Sequence, residues 1–279
     1  EFWQEAGWFI LYEILGTHFM LFVLQYCEDA LGTLSILTIR DISHPSSPLL
    51  RDLQRNAPGT YQHCLTIATL IEAVGIKLGM DVNLLRAGAY YHDIGKMLNP
   101  RCFVENESLA GEDVELRYHS ELTPAQSAAD IIKHVPDGVE LARARHLPND
   151  VVDFILTHHG TSCVAYFYTK FINSGGDPSE RPAFCYPGPR PVTREQAILM
   201  VCDSVEAASR TLKDYSAKAY NALVEKIVSG KLEDGQLSDA EITIKELETV
   251  KEVLKAYLAQ LYHERVVYPK EKRIKQQNN

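Results

Sequence analysis

Apolar residues return at helical spacing along most of the chain, and no stretch alternates apolar and polar positions long enough to mark a sheet strand. From Tyr61 to Leu78, the positions Ile67, Leu70, Ile71, Val74 and Leu78 fall on one face together with His63. Asp81 stands where an N-cap belongs, ahead of a helix that carries Leu85 and Ala89 up to His92. The run TPAQ, Thr123 to Gln126, is a capping box with proline at the first helical position. Its helix runs toward His134 and is expected to stop before Pro136. A further helix is expected from Asn149 to His158, with Val152, Ile155 and Leu156 facing inward. Two more boxes, TREQ at Thr193 and TIKE at Thr243, open helices. The first passes Asp203 and Glu206 toward Arg210; the second puts Leu247, Val250, Leu254, Tyr257 and Leu261 on one stripe. Between Gly32 and Ser47 the pattern weakens, and ILTIRDISHP reads as a short strand or an extended connector. From Thr169 to Pro191 the chain turns rich in Gly, Pro and Ser, as a long loop would. The expected fold is all-α: a helical bundle with one long Gly/Pro-rich loop.

The first apolar run is of a different kind. Ala6 to Leu24 is apolar apart from Glu13, Thr17 and His18, and its length is close to the roughly 20 residues that span a bilayer. It lacks the charged start and small-residue cleavage site of a signal peptide. Two readings stand: a helix packed on the domain, or the end of a membrane segment in a chain that is a fragment of a larger protein, since residue 1 is Glu rather than Met. Glu13 is costly in lipid on a lone helix.

With 46% apolar residues over 279 positions, a sizeable core can form. The net charge of -9 argues against a partner that is long nucleic acid, which calls for a basic face. It leaves a phosphate substrate open, because bound cations reverse a local field. None of the six cysteines has CxxC spacing, so they read as reduced thiols of a cytosolic compartment, mostly small core residues, and not as zinc ligands.

Chemistry gathers around histidine. His63, His92, His134, His158 and His159 each lie in or at the end of an apolar helical segment, whereas His119 falls in a polar stretch and reads as an exposed loop residue. One buried histidine is most often a hydrogen-bonded core residue; five on inward faces need a shared partner. Divalent metal is that partner, since neutral imidazole is its commonest nitrogen ligand. Asp93 adjoins His92, and Asp203 sits among apolar residues, where a lone carboxylate would be costly. The plainer alternative for Asp203 is a core-edge pair with an arginine. Five imidazoles and two carboxylates exceed the four ligands of one zinc and suit two ions such as iron or manganese. Asp93 is placed to bridge them, and the pair suits phosphoryl chemistry with a bridging hydroxide as nucleophile. Lys96 follows on the same expected face and is assigned to substrate phosphate or to a ligand carboxylate; otherwise it is a solvated lysine. Gly95 suggests a helix break that opens a cleft. Thr161 and Ser162, after HHG, are candidate phosphate donors or, equally, a local turn.

The ordered series of YQH, HDIGK, HH and a later Asp resembles the HD phosphohydrolase superfamily. The runs NAPGTYQHCL, RAGAYYHDIGK, FVEN, HVPDGVELA, ILTHHGTS, YPGPRP and DSVEAASR resemble one group more closely: the seven-transmembrane HD proteins, bacterial membrane phosphodiesterases that cleave cyclic di-AMP. The likeness runs from about Leu31 to Pro269. It implies an all-helical fold and two metal ions, iron or manganese, held by His63, His92, Asp93, His134, His158, His159 and Asp203. It also implies an inner-membrane protein whose HD domain faces the cytoplasm, and it leaves a homodimer open. HHGTSCVAYFY stands where the group that cleaves cyclic di-GMP has HHExxDGxGYP, which favours the adenine dinucleotide.

The division expected on this basis is a membrane-proximal or last transmembrane helix over 1–27, a connector over 28–60, a catalytic domain over 61–269 and a flexible tail over 270–279. Asp93 and Lys96 are the candidate catalytic residues, with Lys96, Thr161 and Ser162 toward substrate. The competing readings are another HD nucleotide hydrolase, acting on a dNTP, (p)ppGpp or cyclic di-GMP, and a catalytically silent nucleotide sensor.

Overall fold

A computed structural model of the chain describes residues 2–31, 35–109, 118–214 and 216–263. The regular structure among these residues is helical, with one isolated bridge between Cys163 and Cys185 in place of any sheet. Helix α1, Phe2–Leu31, leaves its apolar side chains exposed, among them Trp3, Trp8, Phe9, Phe19 and Phe22. This removes the reading in which α1 buries its apolar side chains against the domain. Phe2–Leu24 is long and apolar enough to cross a membrane. Its polar groups are folded back: the Thr17 hydroxyl donates to Glu13 O at 2.8 Å, and His18 Nδ1 lies 2.7 Å from Ile14 O.

Where a strand or connector was expected, Ile36–Ile42 forms helix α2, capped by Ser35. The cap satisfies an orphan amide and lets Ile39 reach the core. Tyr91 then ties the segment down by donating to Ile42 O at 2.6 Å. Helices α3, Pro48–Asn56, and α4, Pro58–Leu78, each begin with proline at a first-turn position, where a missing amide hydrogen costs nothing. Helix α5, Val82–Tyr91, starts on Asp81 as expected, and three 3-10 turns follow: Ile94–Leu98, Pro100–Cys102 and Val104–Leu109.

Helix α6, Pro124–Ile132, carries the full Thr123/Gln126 capping box. It ends two residues before His134, where a new helix, α7, His134–Ala144, begins. Pro136 therefore does not stop a helix; it sits in the first turn of α7, whose amides have no partner to lose. Helix α8 is Asn149–Thr157, and α9, Ala165–Asn173, takes up the start of what was expected to be loop. The remainder includes a 3-10 run, Pro178–Phe184, whose Phe184 is fully buried. Helices α10, Arg194–Ser209, α11, Ala217–Glu233, and α12, Ile244–His263, complete the bundle. The expected tail, 270–279, lies outside the described residues.

Helix α4 lies between two cores. Ile67, Leu70, Ile71 and Val74 face a cluster built with α10, α11 and α12, while Tyr61 and Cys64 face one built with α3, α5 and α8. Each fully buried Leu or Ile contributes about 1.5–3 kcal/mol. These two cores are the framework that keeps polar side chains buried along the seam, where His63 lies.

The cysteine reading needs one correction. Cys163 and Cys185 form a disulfide across 22 residues, whereas Cys64, Cys102 and Cys202 are buried thiols. The pairing follows from backbone bonds on both sides, Val164 N to Phe184 O at 2.8 Å and Tyr186 N to Ser162 O at 2.9 Å. Spacing along the sequence carries no trace of it.

Candidate metal centre

Helix ends deliver most of the site. His92 is the C-cap of α5 and Asp93 the next residue; His134 opens α7; His158 is the C-cap of α8, followed by His159. His63 comes from the second turn of α4, and Asp203 from the buried face of α10. A chain leaving a helix changes direction, so neighbours such as His92 and Asp93 can converge, which the 100° spacing within a helix resists.

The seven side chains form two groups, Asp93 with His134, His158 and His159, and His63 with His92 and Asp203, the candidate ligand atoms of each lying within 4.8 Å of one another. Asp93 joins the groups. Its Oδ1 lies 3.4 Å from His134 Nε2 and 3.5 Å from His158 Nε2, while its Oδ2 lies 3.2 Å from His92 Nε2 and 3.6 Å from His63 Nε2. Three imidazoles share one device. His92, His134 and His158 each donate Nδ1–H to the carbonyl three residues back, on Ala89, Ile131 and Ile155, at 2.8, 2.6 and 2.8 Å. The bond fixes the tautomer and leaves the Nε2 lone pair aimed inward, as ligation demands. His92 Nε2 and Asp93 Oδ1 are buried without a hydrogen-bond partner. Each such orphan costs about 1–3 kcal/mol, a cost that a coordinated cation removes. The donor set thus fits two divalent ions.

The electrostatics agree. Burial opposes charge on Asp93, but Lys96 and His92 outweigh it and hold the carboxyl well below the usual range. Burial likewise disfavours charge on His63, yet Asp203 and Glu206 raise its pKa to about 9. On the other side burial, with the charges of His158 and Lys96, drives His134 down to about 3, and His159 also falls well below its ordinary value through burial. The carboxylates therefore draw positive charge to the His63 side, and His134 and His159 stay neutral donors.

Lys96 takes the second of its two assignments. It lies on a 3-10 turn, with Nζ 2.7 Å from Asp93 Oδ2 and 2.8 Å from Glu105 Oε1. Two carboxylates hold it against a ligand, away from solvent. Glu105 was not singled out from the sequence, although FVEN was. The turn that bears it docks on α4: Asn106 accepts Thr60 N at 3.1 Å and donates to Thr60 Oγ1 at 2.9 Å. Gly59 permits this, since a Cβ there would stand 1.6 Å from Glu105 O. Gly95 serves the same purpose rather than a cleft-opening break: a Cβ would lie 1.9 Å from His134 O, so glycine lets the HD turn press on the start of α7. Glu206, one helical turn beyond Asp203, accepts from His63 Nδ1 at 2.9 Å and pairs with Arg210 at 2.8 Å.

Thr161 and Ser162 stand on the far rim. Gln236 clasps the Thr161 amide at 2.9 Å and its hydroxyl at 3.0 Å, so Thr161 fits the turn reading rather than phosphate donation. Ser162 Oγ accepts from Lys231 Nζ at 2.9 Å. Tyr186 stacks on His159 with ring centroids 4.2 Å apart. His119 is not an exposed loop residue: its Nε2 lies 3.0 Å from Cys102 O and its ring 4.9 Å from that of Phe167. With Phe103, Glu105, Tyr166 and Phe167 it lines a cavity of about 410 Å³ beside the centre. Phe103 stands between, under the Lys96 ammonium and 5.5 Å from the His134 ring.

The chain is similar to the cyclic-di-AMP phosphodiesterases PgpH of Listeria monocytogenes, 38% identical over 90% of this chain, and of Bacillus subtilis, 39% identical over 88%. It spans about a third of the length of these relatives, 34% of each. The crystal structure of the Listeria PgpH HD domain in complex with cyclic-di-AMP superposes with a TM-score of 0.73 at 38% identity, covering 78% of this chain and all of that one. The HD-domain family model matches residues 60–208, from the turn before His63 to just beyond Glu206, and so takes in all seven clustered candidate ligands. The chain belongs to the HD-domain family.

Proposed function

We propose that this chain is a metal-dependent phosphodiesterase that opens cyclic di-AMP to the linear dinucleotide pApA. The observation that carries the chemistry is the bridging position of Asp93, between two donor groups whose imidazoles are locked with Nε2 inward. The observation that favours the substrate is the likeness to proteins named for cyclic di-AMP and to a domain crystallised with it. When bound, two divalent ions, iron or manganese, supply Lewis-acid activation of water and neutralise phosphate charge. His63, His92 and Asp203 would hold one, His134, His158 and His159 the other, and Asp93 both. Lys96, itself held by Glu105, keeps Asp93 ionised and oriented, and Glu206 orients His63. The aromatic-walled cavity beyond Phe103 is the seat we assign to an adenine, its volume falling within the usual range of about 300–1,000 Å³ for ligand pockets.

The same reading makes 1–27 the membrane-proximal helix, 28–60 a connector and 61–269 the catalytic domain on the cytoplasmic side of the inner membrane. The experiment is anaerobic purification, metal counting and a product assay with cyclic di-AMP beside cyclic di-GMP. Two ions per chain and pApA as product are expected. One ion with turnover of a dNTP or (p)ppGpp would support another HD nucleotide hydrolase, and tight binding without product a sensor.

A further inference from the structure

Two lysines stand near the centre, and they are partnered in opposite ways. Lys96 is paired with two carboxylates. Lys231, in the last turn of α11, is partly buried and forms no ion pair among the described residues; its Nζ meets the neutral hydroxyl of Ser162 at 2.9 Å. Removal from water weakens its hold on a proton, and the negative charges of Asp203, in the centre, and of Asp234, three residues along the chain, oppose that loss. The ammonium is therefore within the electrostatic reach of the metal-binding groups yet is not neutralised by them.

The surroundings fix it there. Ser162 is three residues beyond His159, and its carbonyl accepts Tyr186 N at 2.9 Å while the Tyr186 ring stacks on His159. Gln236, five residues beyond Lys231, clasps Thr161 at 2.9 Å and 3.0 Å. The end of α11 and the HHGTS turn thus form one rigid rim on the His159 side. A half-buried cation that meets only a neutral acceptor is unfavourable unless an anion completes it. The hydroxyl adds to this: because Ser162 Oγ accepts from Lys231, its own proton is free to point outward to a second acceptor.

We infer that Lys231 and Ser162 form a phosphate seat on the rim of the metal centre, in which the ammonium and the hydroxyl each donate to a non-bridging oxygen of the substrate. This rests on the phosphodiesterase reading for the identity of the substrate but not for the chemistry of the ligand, an anionic phosphate. It reassigns phosphate binding from Lys96, whose charge is spent on Asp93 and Glu105, to a lysine some 70 residues beyond the HHGTS turn.

The test compares wild type with Lys231→Met, Lys231→Arg and Ser162→Ala, each loaded with manganese and checked for metal content and melting temperature. Inorganic phosphate binding by calorimetry reads anion affinity without turnover, the wild-type-to-variant difference reporting the seat, and steady-state hydrolysis of cyclic di-AMP reads it in turnover. Charged hydrogen bonds of this kind correspond to about a ten- to hundredfold change. Lys231→Met should weaken phosphate binding and raise KM by that factor, with two ions and the melting temperature retained. Lys231→Arg should recover most of the loss, and Ser162→Ala should show a smaller one. Unchanged phosphate affinity in Lys231→Met, or a loss that arises only with lost metal, overturns the seat. Wild type that binds phosphate through Lys231 but leaves cyclic di-AMP intact would refute the substrate and keep the seat.

Discussion

Asp93 is the residue on which the two-ion reading is most exposed. Consider Asp93→Asn, which keeps shape and removes charge, beside Asp93→Ala, which removes both. The carboxylate lies within 3.2–3.6 Å of four imidazole Nε2 atoms and 2.7 Å from Lys96 Nζ. Its loss leaves Lys96 with Glu105 alone and deprives both donor groups of their shared anion. Breaking a buried charged pair by removing one partner costs about 3–5 kcal/mol. If that cost appears in the affinity for metal, it is about a hundred- to ten-thousandfold at 1.36 kcal/mol per decade. Even outer partners of ligands are worth about 10–100-fold, so a bridging ligand should exceed them. The assay is metal counting after dialysis, with turnover of cyclic di-AMP and circular dichroism on the same samples. Both variants should keep helicity, lose more than one ion per chain and lose turnover by at least a hundredfold. Asp93→Asn that retains two ions and near-normal turnover would refute the bridging role. Loss of one ion alone would place Asp93 in one group and not at the junction.

Two further outcomes follow from packing and charge. Lys96→Met should lower kcat and metal affinity with little change in KM, because Nζ is held by Asp93 and Glu105; a large rise in KM with metal retained would restore the phosphate assignment. Gly95→Ala should cost more than the about 1–3 kcal/mol typical of overpacking, since its Cβ would meet backbone at 1.9 Å, and thermal melting of the metal-free protein should show it; an unchanged melting temperature would mean that the HD turn and α7 can separate freely.

The seven clustered side chains were legible because each breaks a local rule in the same direction: a polar side chain in, or at the end of, an apolar helical segment. Tertiary packing need only close the helices for them to meet. Groups that act through a ligand carry no such mark. Glu105 lies on a 3-10 turn with no periodicity, and its value comes from Lys96 and from the Gly59 contact, both of which require the folded chain. Glu206 shares the buried face of α10 with Asp203, but nothing in its spacing shows that it would meet His63 from another helix. Lys231 sits on α11, a helix whose apolar positions Tyr220, Val224 and Val228 recur at period four, yet whose polar stretches hide it from a reading by capping boxes. Helix α6 ends before Pro136 as expected, and the unforeseen start of α7 at His134 has a plain cause. Proline excludes the residue before it from a helix interior, but at a first turn that restriction is compatible with a new helix, so the same residue can end one element or lie in the next.

The pH dependence of metal loading separates the two sides of the centre. In the metal-free protein Asp203 and Glu206 raise His63 to about 9, whereas burial and neighbouring charge lower His134 to about 3. A cation and a proton compete for His63 Nε2, which lies 3.0 Å from Asp203 Oδ1. Below about 9 the proton must leave before the ion binds, so affinity on that side falls as pH falls, by about tenfold per unit for one proton. His134 is already neutral from pH 9 down to about 3 and contributes no such slope. The sign for folding is the reverse on the two residues. Raised His63 favours the metal-free fold below its unfolded value of 6.5 and loses that contribution as pH rises through about 9; lowered His134 opposes folding progressively as pH falls from 6.5 toward 3. Burial disfavours charge on His92 as well, yet Asp93 holds its pKa well above the ordinary value, so calorimetric titration of manganese at pH 7.5 in two buffers of different ionisation enthalpy should report release of about two protons per centre, one from His63 and one from His92. Replacing Glu206 by Gln should reduce that release, because one of the two carboxylates that hold the His63 proton is then neutral. Proton release that is absent in wild type, or unaltered in Glu206→Gln, would show that His63 enters the centre already neutral and that the carboxylates around it answer to the ions alone.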